Sequence, residues 1–196
     1  MELFLLVYLT LFFGLALALP SYRVWKTTGV NPYKFNSSDS AHDYVGKNFR
    51  FVMLACALVV IISAFLPSVD QYLLPIHYLT NSTLAVIGQI LLLAALLWVL
   101  TAQVHMQKSW RIGIDEEIKT ELIQTGLFKL SRNPIFLGMR VMLLGLFLAM
   151  PNAITFTILI AGELLVQIQV RLEEEFLTRT HGNSYITYQK QVRRWI

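Results

Sequence analysis

The chain has 196 residues, of which 56% are hydrophobic and only 14% charged, with a net charge of +4. A soluble domain carries about 25% charged residues, so the composition excludes an ordinary water-soluble globule and points to a single integral membrane domain. The one cysteine, Cys56, lies in an apolar run; this excludes an intramolecular disulfide and a cysteine-built zinc site, and a thiol in such surroundings stays protonated as packing filler.

Five apolar segments follow one another, at about residues 3–19, 51–66, 84–106, 134–150 and 153–170. A helix needs about 20 residues to span the hydrocarbon core. No Lys or Arg precedes the first segment, while Arg23 and Lys26 follow it, which is the flank of a retained anchor and not of a cleaved signal. The second is short unless its helix begins before Arg50. The fourth and fifth are separated only by Pro151 and Asn152, a tight turn that predicts an antiparallel hairpin. Beyond the fifth, neither Pro nor Gly occurs until Gly182. The helix is therefore expected to run into the cytosol and stop there. It carries Glu173, Glu174 and Glu175 just outside the bilayer, with Arg171 spaced to pair with Glu175.

The basic residues alternate between loops. Arg23, Lys26, Lys34, Lys47 and Arg50 surround the first loop, and Lys108, Arg111, Lys119, Lys129 and Arg132 the third. Arg171, Arg179, Lys190, Arg193 and Arg194 lie toward the tail, and the second and fourth loops have none. The positive-inside rule places the basic loops in the cytoplasm. The expected fold is an all-α integral membrane protein with five transmembrane helices, N-terminus outside and C-terminus cytoplasmic. Spans four and five form its hairpin, and a C-terminal extension lies in the cytosol. Residues 1–196 make one domain, with spans one to three and the basic first loop in 1–104 and the catalytic, cofactor-binding half in 105–196. The basic excess is thus topological, with anionic membrane lipids as its partner; no nucleic acid is needed to explain it.

Arg140 is the basic residue left over, six residues into the fourth span, and Glu163 lies at a similar depth in the fifth. Ionisable groups at such depth pair or line a polar cavity, so these two are expected to face each other across the hairpin. They read first as a structural ion pair and second as the wall of a substrate cavity.

The remaining polar groups gather at the cytoplasmic boundary, in "HMQKSWRIGIDEE", "TGLFKLSRNPIFLG" and "RLEEEFL…HGNSYITY". No Gly-rich nucleotide fingerprint or P-loop is present. His42, His77, His105 and His181 are scattered, so no metal is expected. Pro134 suits a first helical position, where its missing N–H costs nothing, and Asn133 is placed to cap it.

"GLFKLSRNPIFLG", then "EEEFL", "HGNSYITY" and "VRR" together resemble the isoprenylcysteine carboxyl methyltransferase family, membrane enzymes related to phospholipid methyltransferases. "WKTTGVNPY" and "SWRIGID" resemble a bacterial branch of it. The pattern is Arg-His-Pro with an aromatic two residues on, Glu-Glu-x-x-Leu, then Gly-x-x-Tyr-x-x-Tyr. Arg132, Pro134, Phe136, Glu173, Glu174, Leu177, Gly182, Tyr185 and Tyr188 stand at its positions. Asn133 replaces the histidine, and Phe136 the commoner tyrosine. Asparagine hydrogen-bonds but carries no proton near neutral pH, so that position is left a positioning role.

The resemblance implies S-adenosyl-L-methionine as methyl donor and a lipophilic or lipid-modified acceptor, such as an isoprenylcysteine-like carboxylate, a thiol or a lipid head group. It implies a cofactor site at His105, Gln107, Trp110, Gly126, Leu127, Phe128, Arg132, Asn133, Pro134, Phe136, Gly138, Glu173, Glu174, Tyr185 and Tyr188. Arg140, Glu174 and Arg171 are the catalytic candidates. In that reading Arg132 clamps the cofactor carboxylate bidentately, Glu173 and Glu174 bind its ammonium or ribose hydroxyls, and Trp110, Phe128 and Phe136 wall its adenine. The site faces the cytoplasm, in a bacterial inner membrane. The alternatives are a membrane reductase using a nicotinamide cofactor and a module without catalysis.

Overall fold

The computed structural model describes residues 1–29, 40–106 and 121–196. Among them the chain is helical apart from turns and one isolated bridge between Pro75 and Asn152. Helix α1 (Glu2–Leu11) runs through a π-helical stretch, Phe12–Ala18, into α2 (Leu19–Thr28). Four further long helices follow: α3 (Ala41–Phe65), α4 (Ser82–Met106), α5 (Pro134–Ala149) and α6 (Ala153–His181). A short α7 (Asn183–Gln191) closes the series.

Four helical stretches are long and apolar enough to cross a membrane: Glu2–Thr27, Ala41–Phe65, Ser82–Met106 and Ala153–His181. The 16 residues of α5 rise about 24 Å, less than the ~30 Å core. The second apolar segment, short by itself, gains its length because its helix begins before Arg50. Ser40 accepts the Asp43 N–H at 3.1 Å and opens α3 ten residues ahead of the apolar run. The expected stop of α6 holds, with its C-cap at Gly182.

The hairpin between α5 and α6 is closed by Asn152. Its side chain accepts the Thr155 N–H at 2.9 Å, and its own N–H reaches the Thr155 hydroxyl at 3.3 Å, a reciprocal cap that satisfies two otherwise open donors. The loop after α3 docks onto this turn: Ile76 N–H donates to Pro151 O at 2.8 Å and Ala153 N–H to Leu74 O at 3.0 Å.

Glycines let α4 and α5 approach closely. A Cβ at Gly88 would lie 2.5 Å from Ala149 N, and one at Gly145 3.0 Å from Gly88 O. Small residues at helix interfaces replace the hydrophobic driving force that lipid cannot supply. The core behind them is apolar, with Leu92, Val99, Leu143 and Val166 at most 2% exposed.

Pro20 shapes the first helix. It has no N–H to offer the Ala16 carbonyl, the helix ahead of it widens, and Gln103 Nε2 on α4 donates to Ala16 O at 2.6 Å. Widened turns of this kind often adjoin functional sites.

Candidate functional site

The last turn before α5 is short and polar. Gly126 takes a left-handed backbone, φ 59°, and a single 3-10 turn, Gly126–Lys129, leads to Ser131, Arg132 and Asn133. Pro134 then begins α5 as expected, but Asn133 does not cap it. Its Nδ2 instead donates to Glu174 Oε1 at 3.0 Å. The carboxylate wins because it is charged and only 4% exposed, and a buried carboxylate requires donors.

Glu174 is the hub of this end of the molecule. Oε1 accepts from Arg132 Nε at 3.2 Å, Arg132 Nη2 at 3.1 Å and Asn133 Nδ2 at 3.0 Å; Oε2 accepts from Arg194 Nε at 3.1 Å and Nη2 at 2.8 Å. Arg132 also gives Nη1 to Gln189 O at 3.1 Å and to Val192 O at 2.6 Å. A guanidinium has five N–H groups. Four are spent on the protein, so Arg132 retains one, and the expected bidentate clamp on a ligand carboxylate is not available to it. Glu174 is likewise engaged on both oxygens, and does not offer itself to a cofactor ammonium as the sequence reading supposed.

A cleft of about 420 Å³ opens beside this network. Its walls are Phe12, Phe13 and Leu17 of the first helix, Phe49, Met53 and Leu54 of α3, and Val99 and Met106 of α4. Phe128, Ile135, Phe136 and Met139 close it. Its polar rim comprises Arg50, Gln103, Arg132, Asn133, Gln169 and Glu173. Gln169 Nε2 lies 3.0 Å from His42 Nδ1. The Oε1 atoms of Gln103 and Gln169 are buried and have no hydrogen-bond partner among the described residues.

Of the residues singled out in the sequence, Phe128, Arg132, Asn133, Pro134, Phe136 and Glu173 line the cleft. Others stand behind it. Tyr188 donates its hydroxyl to Phe128 O at 2.6 Å; burial pushes that phenol up to about 12, so it remains a donor. Tyr185 is 1% exposed beside it, with ring centroids 5.9 Å apart. Gly126 packs on the His105 ring, so that a Cβ there would collide with the imidazole, and a Cβ on Gly138 would lie 2.5 Å from Val99 Cγ2. Leu127 belongs to the turn: its carbonyl accepts the Leu130 and Ser131 N–H groups. These residues shape the site without lining it. Gln107 and Trp110 lie outside the described residues.

Arg140 and Glu163 do face each other, Nε to Oε2 at 2.7 Å, but neither lines the cleft. They continue a ladder on another face of α6. Gln167 Nε2 donates to Glu163 Oε1 at 2.8 Å, and Arg171 Nη1 to Gln167 Oε1 at 3.0 Å and Gln167 O at 2.6 Å. The expected Arg171–Glu175 pair is therefore replaced by a bond one turn back, where an amide and a carbonyl are both in reach. Arg140 also carries the Trp195 ring at 4.4 Å.

The sequence reading missed the contribution of the first two long helices and of Gln103 and Gln169. Pro20, with the aromatic pair Phe12 and Phe13 about two turns earlier, was the available signal for the first helix. Single glutamines in apolar runs were the signal for the others.

Residues 83–184 match the family model of phospholipid methyltransferase, just over half of the chain. The matched segment takes in α4, α5 and α6 and leaves outside it the first helix, α3 and residues 185–196. No curated protein matches the chain.

Proposed function

The chain belongs to the phospholipid methyltransferase family, a family of membrane methyltransferases, and from that premise we propose that it transfers a methyl group from S-adenosyl-L-methionine to a lipophilic acceptor. The acceptor is an isoprenylcysteine-like carboxylate, a thiol or a lipid head group, and it is met at the cytoplasmic face of a bacterial inner membrane. Five spans, with the N-terminus outside, are the arrangement that the alternation of basic loops supports.

The observation that carries the reading is the cleft, apolar along its walls and polar where Arg132, Asn133 and Glu173 meet. Its volume of about 420 Å³ lies within the ~300–1,000 Å³ of small-molecule sites. The residues present fit the methyl donor. Gln103 Oε1 and Gln169 Oε1 are buried acceptors in want of a partner, and such groups are costly unless a ligand supplies N–H or O–H donors; the donor's ribose hydroxyls and amines are of that kind. Phe128 and Phe136 offer aromatic faces. Glu173 is the carboxylate of the acidic pair that reaches the cleft.

The cofactor, when bound, would supply an electrophilic methyl on a sulfonium: the acceptor's lone pair would form the new bond while the carbon–sulfur bond broke and the sulfur kept the electron pair. The chain's part is to hold the reactants in line, which supplies much of the acceleration in such displacements. The phenylalanine walls keep water away. An anionic acceptor needs no base. An acceptor that sheds a proton gives it to Glu173. Arg132 keeps one N–H for a polar group at the end of the cleft.

Calorimetry of S-adenosyl-L-methionine with the nanodisc-held protein tests this. Saturable binding, weakened about tenfold by Glu173→Gln, is expected for the loss of one charge-assisted bond. A folded wild-type protein that binds none would sink the reading.

A further inference from the structure

The last residues of the chain lie past the family-matched segment, yet they are bonded to its Arg-Asn-Pro motif. Helix α7 ends at Gln191, and Val192 turns extended, φ −123° and ψ 133°. The strand-like tail then crosses residues 131–133. Arg132 N–H donates to Arg193 O at 3.0 Å, Ser131 Oγ to Arg194 O at 3.1 Å and Asn133 Nδ2 to Arg194 O at 3.4 Å. Arg132 Nη1 reaches Val192 O at 2.6 Å. Arg194 grips Glu174 Oε2 through two nitrogens, Nε at 3.1 Å and Nη2 at 2.8 Å, and Trp195 lies over Arg140 at 4.4 Å.

These contacts converge on two residues that line the cleft, Arg132 and Asn133. The tail's Val192 carbonyl takes up one Nη1 hydrogen of Arg132 and the Gln189 carbonyl of α7 the other. Glu174 takes Nε and one Nη2 hydrogen. Which single N–H of Arg132 is left over is thus decided by the tail on one side and by Glu174 on the other. Glu174 is in turn held by Arg194. A guanidinium pinned on both edges is pre-organised, and pre-organisation reduces what a ligand must spend in ordering its site.

We propose that residues 192–196 form a positioning strap for the ligand site, with Arg194 as its latch: through Glu174 and the tail carbonyls it sets the orientation in which Arg132 and Asn133 meet a ligand in the cleft. The inference rests on the reading of the cleft as the methyl-donor site. Arg194 touches no ligand; it acts through Glu174 and Arg132.

The test uses the full chain in nanodiscs, with S-adenosylhomocysteine as probe. Affinity is measured by calorimetry for wild type, Arg194→Ala and Arg194→Lys, and hydrogen exchange of residues 189–196 is followed with and without the probe. Arg194→Ala is expected to lose about tenfold in affinity, the scale of one charge-assisted contact. Arg194→Lys keeps the charge but not the two-point geometry and should recover part of the loss. The probe should slow exchange in 189–196, which a tail that merely packs would not show. Wild-type affinity in folded Arg194→Ala, or exchange indifferent to the probe, overturns the strap. If Arg194→Ala does not fold, Arg194→Lys decides: an affinity equal to wild type overturns it. A wild-type protein that fails to bind the probe overturns the methyl-donor reading itself, whereas binding that ignores Arg194 overturns only the strap.

Discussion

At the scale of residues, the buried carboxylate of Glu174 dictates what its neighbours do. With five donor contacts from Arg132, Asn133 and Arg194, it is paired as a buried charge has to be. Breaking a buried ion pair costs about 3–5 kcal/mol where the remaining charge is left alone; Glu174 keeps Arg194 when Arg132 is removed, so the cost there is smaller. Arg132→Ala should still lower the melting temperature of the detergent-held protein, and an unchanged melting curve would mean that the network contributes nothing. The sequence made the importance of Arg132 and of the Glu pair legible, because they fall in an ordered motif. It did not reveal that Glu174 turns inward and Glu173 toward the cleft. Adjacent helical positions differ by about 100°, and which of them meets the arginines depends on how α6 is rotated against α5. Arg171 instead settles within its own helix, where the Gln167 amide and carbonyl oxygens are both in reach.

At the scale of elements, lengths and ends were readable and contacts were not. Apolar run lengths and the Pro-Asn turn are local signals, and they located the long apolar helices and the hairpin. The start of α3 was missed by the apolar run alone, since its first turns carry Asp43, Lys47 and Arg50 and rely on the Ser40 cap. The closeness of α4 and α5 is a tertiary fact. A Cβ on Gly88 meets backbone, which cannot move aside as a flexible side chain can. Gly88→Ala is expected to cost about 1–3 kcal/mol through overpacking, read as a drop in melting temperature. Gly14, with nothing within 4 Å of its virtual Cβ, is the control: Gly14→Ala should shift stability by no more than about 1 kcal/mol, in the stabilising direction. Equal effects at the two positions would contradict the packing described.

At the scale of the whole molecule, the membrane orientation and the composition of the cleft are at issue. Cysteine labelling reads the first. Cys56 is 1% exposed and should stay silent, so Thr80→Cys and Lys190→Cys serve as single reporters. With membrane-impermeant maleimide on intact cells, Thr80→Cys is expected to react and Lys190→Cys to react only after permeabilisation. The opposite pattern would invert the orientation. Residue hydropathy determines by itself that this is a helical membrane protein, because the cost of burying backbone in lipid acts on each segment separately. The tertiary structure alone decides that the cleft draws its walls from the first helix and α3 as well as from the matched half. It alone decides that Arg140 and Glu163 stand away from the cleft, and that Glu174 answers to Arg132, 42 residues before it, and to Arg194, 20 residues after it. Those pairings depend on how the helices rotate and pack against one another, and no local pattern in the chain records that rotation.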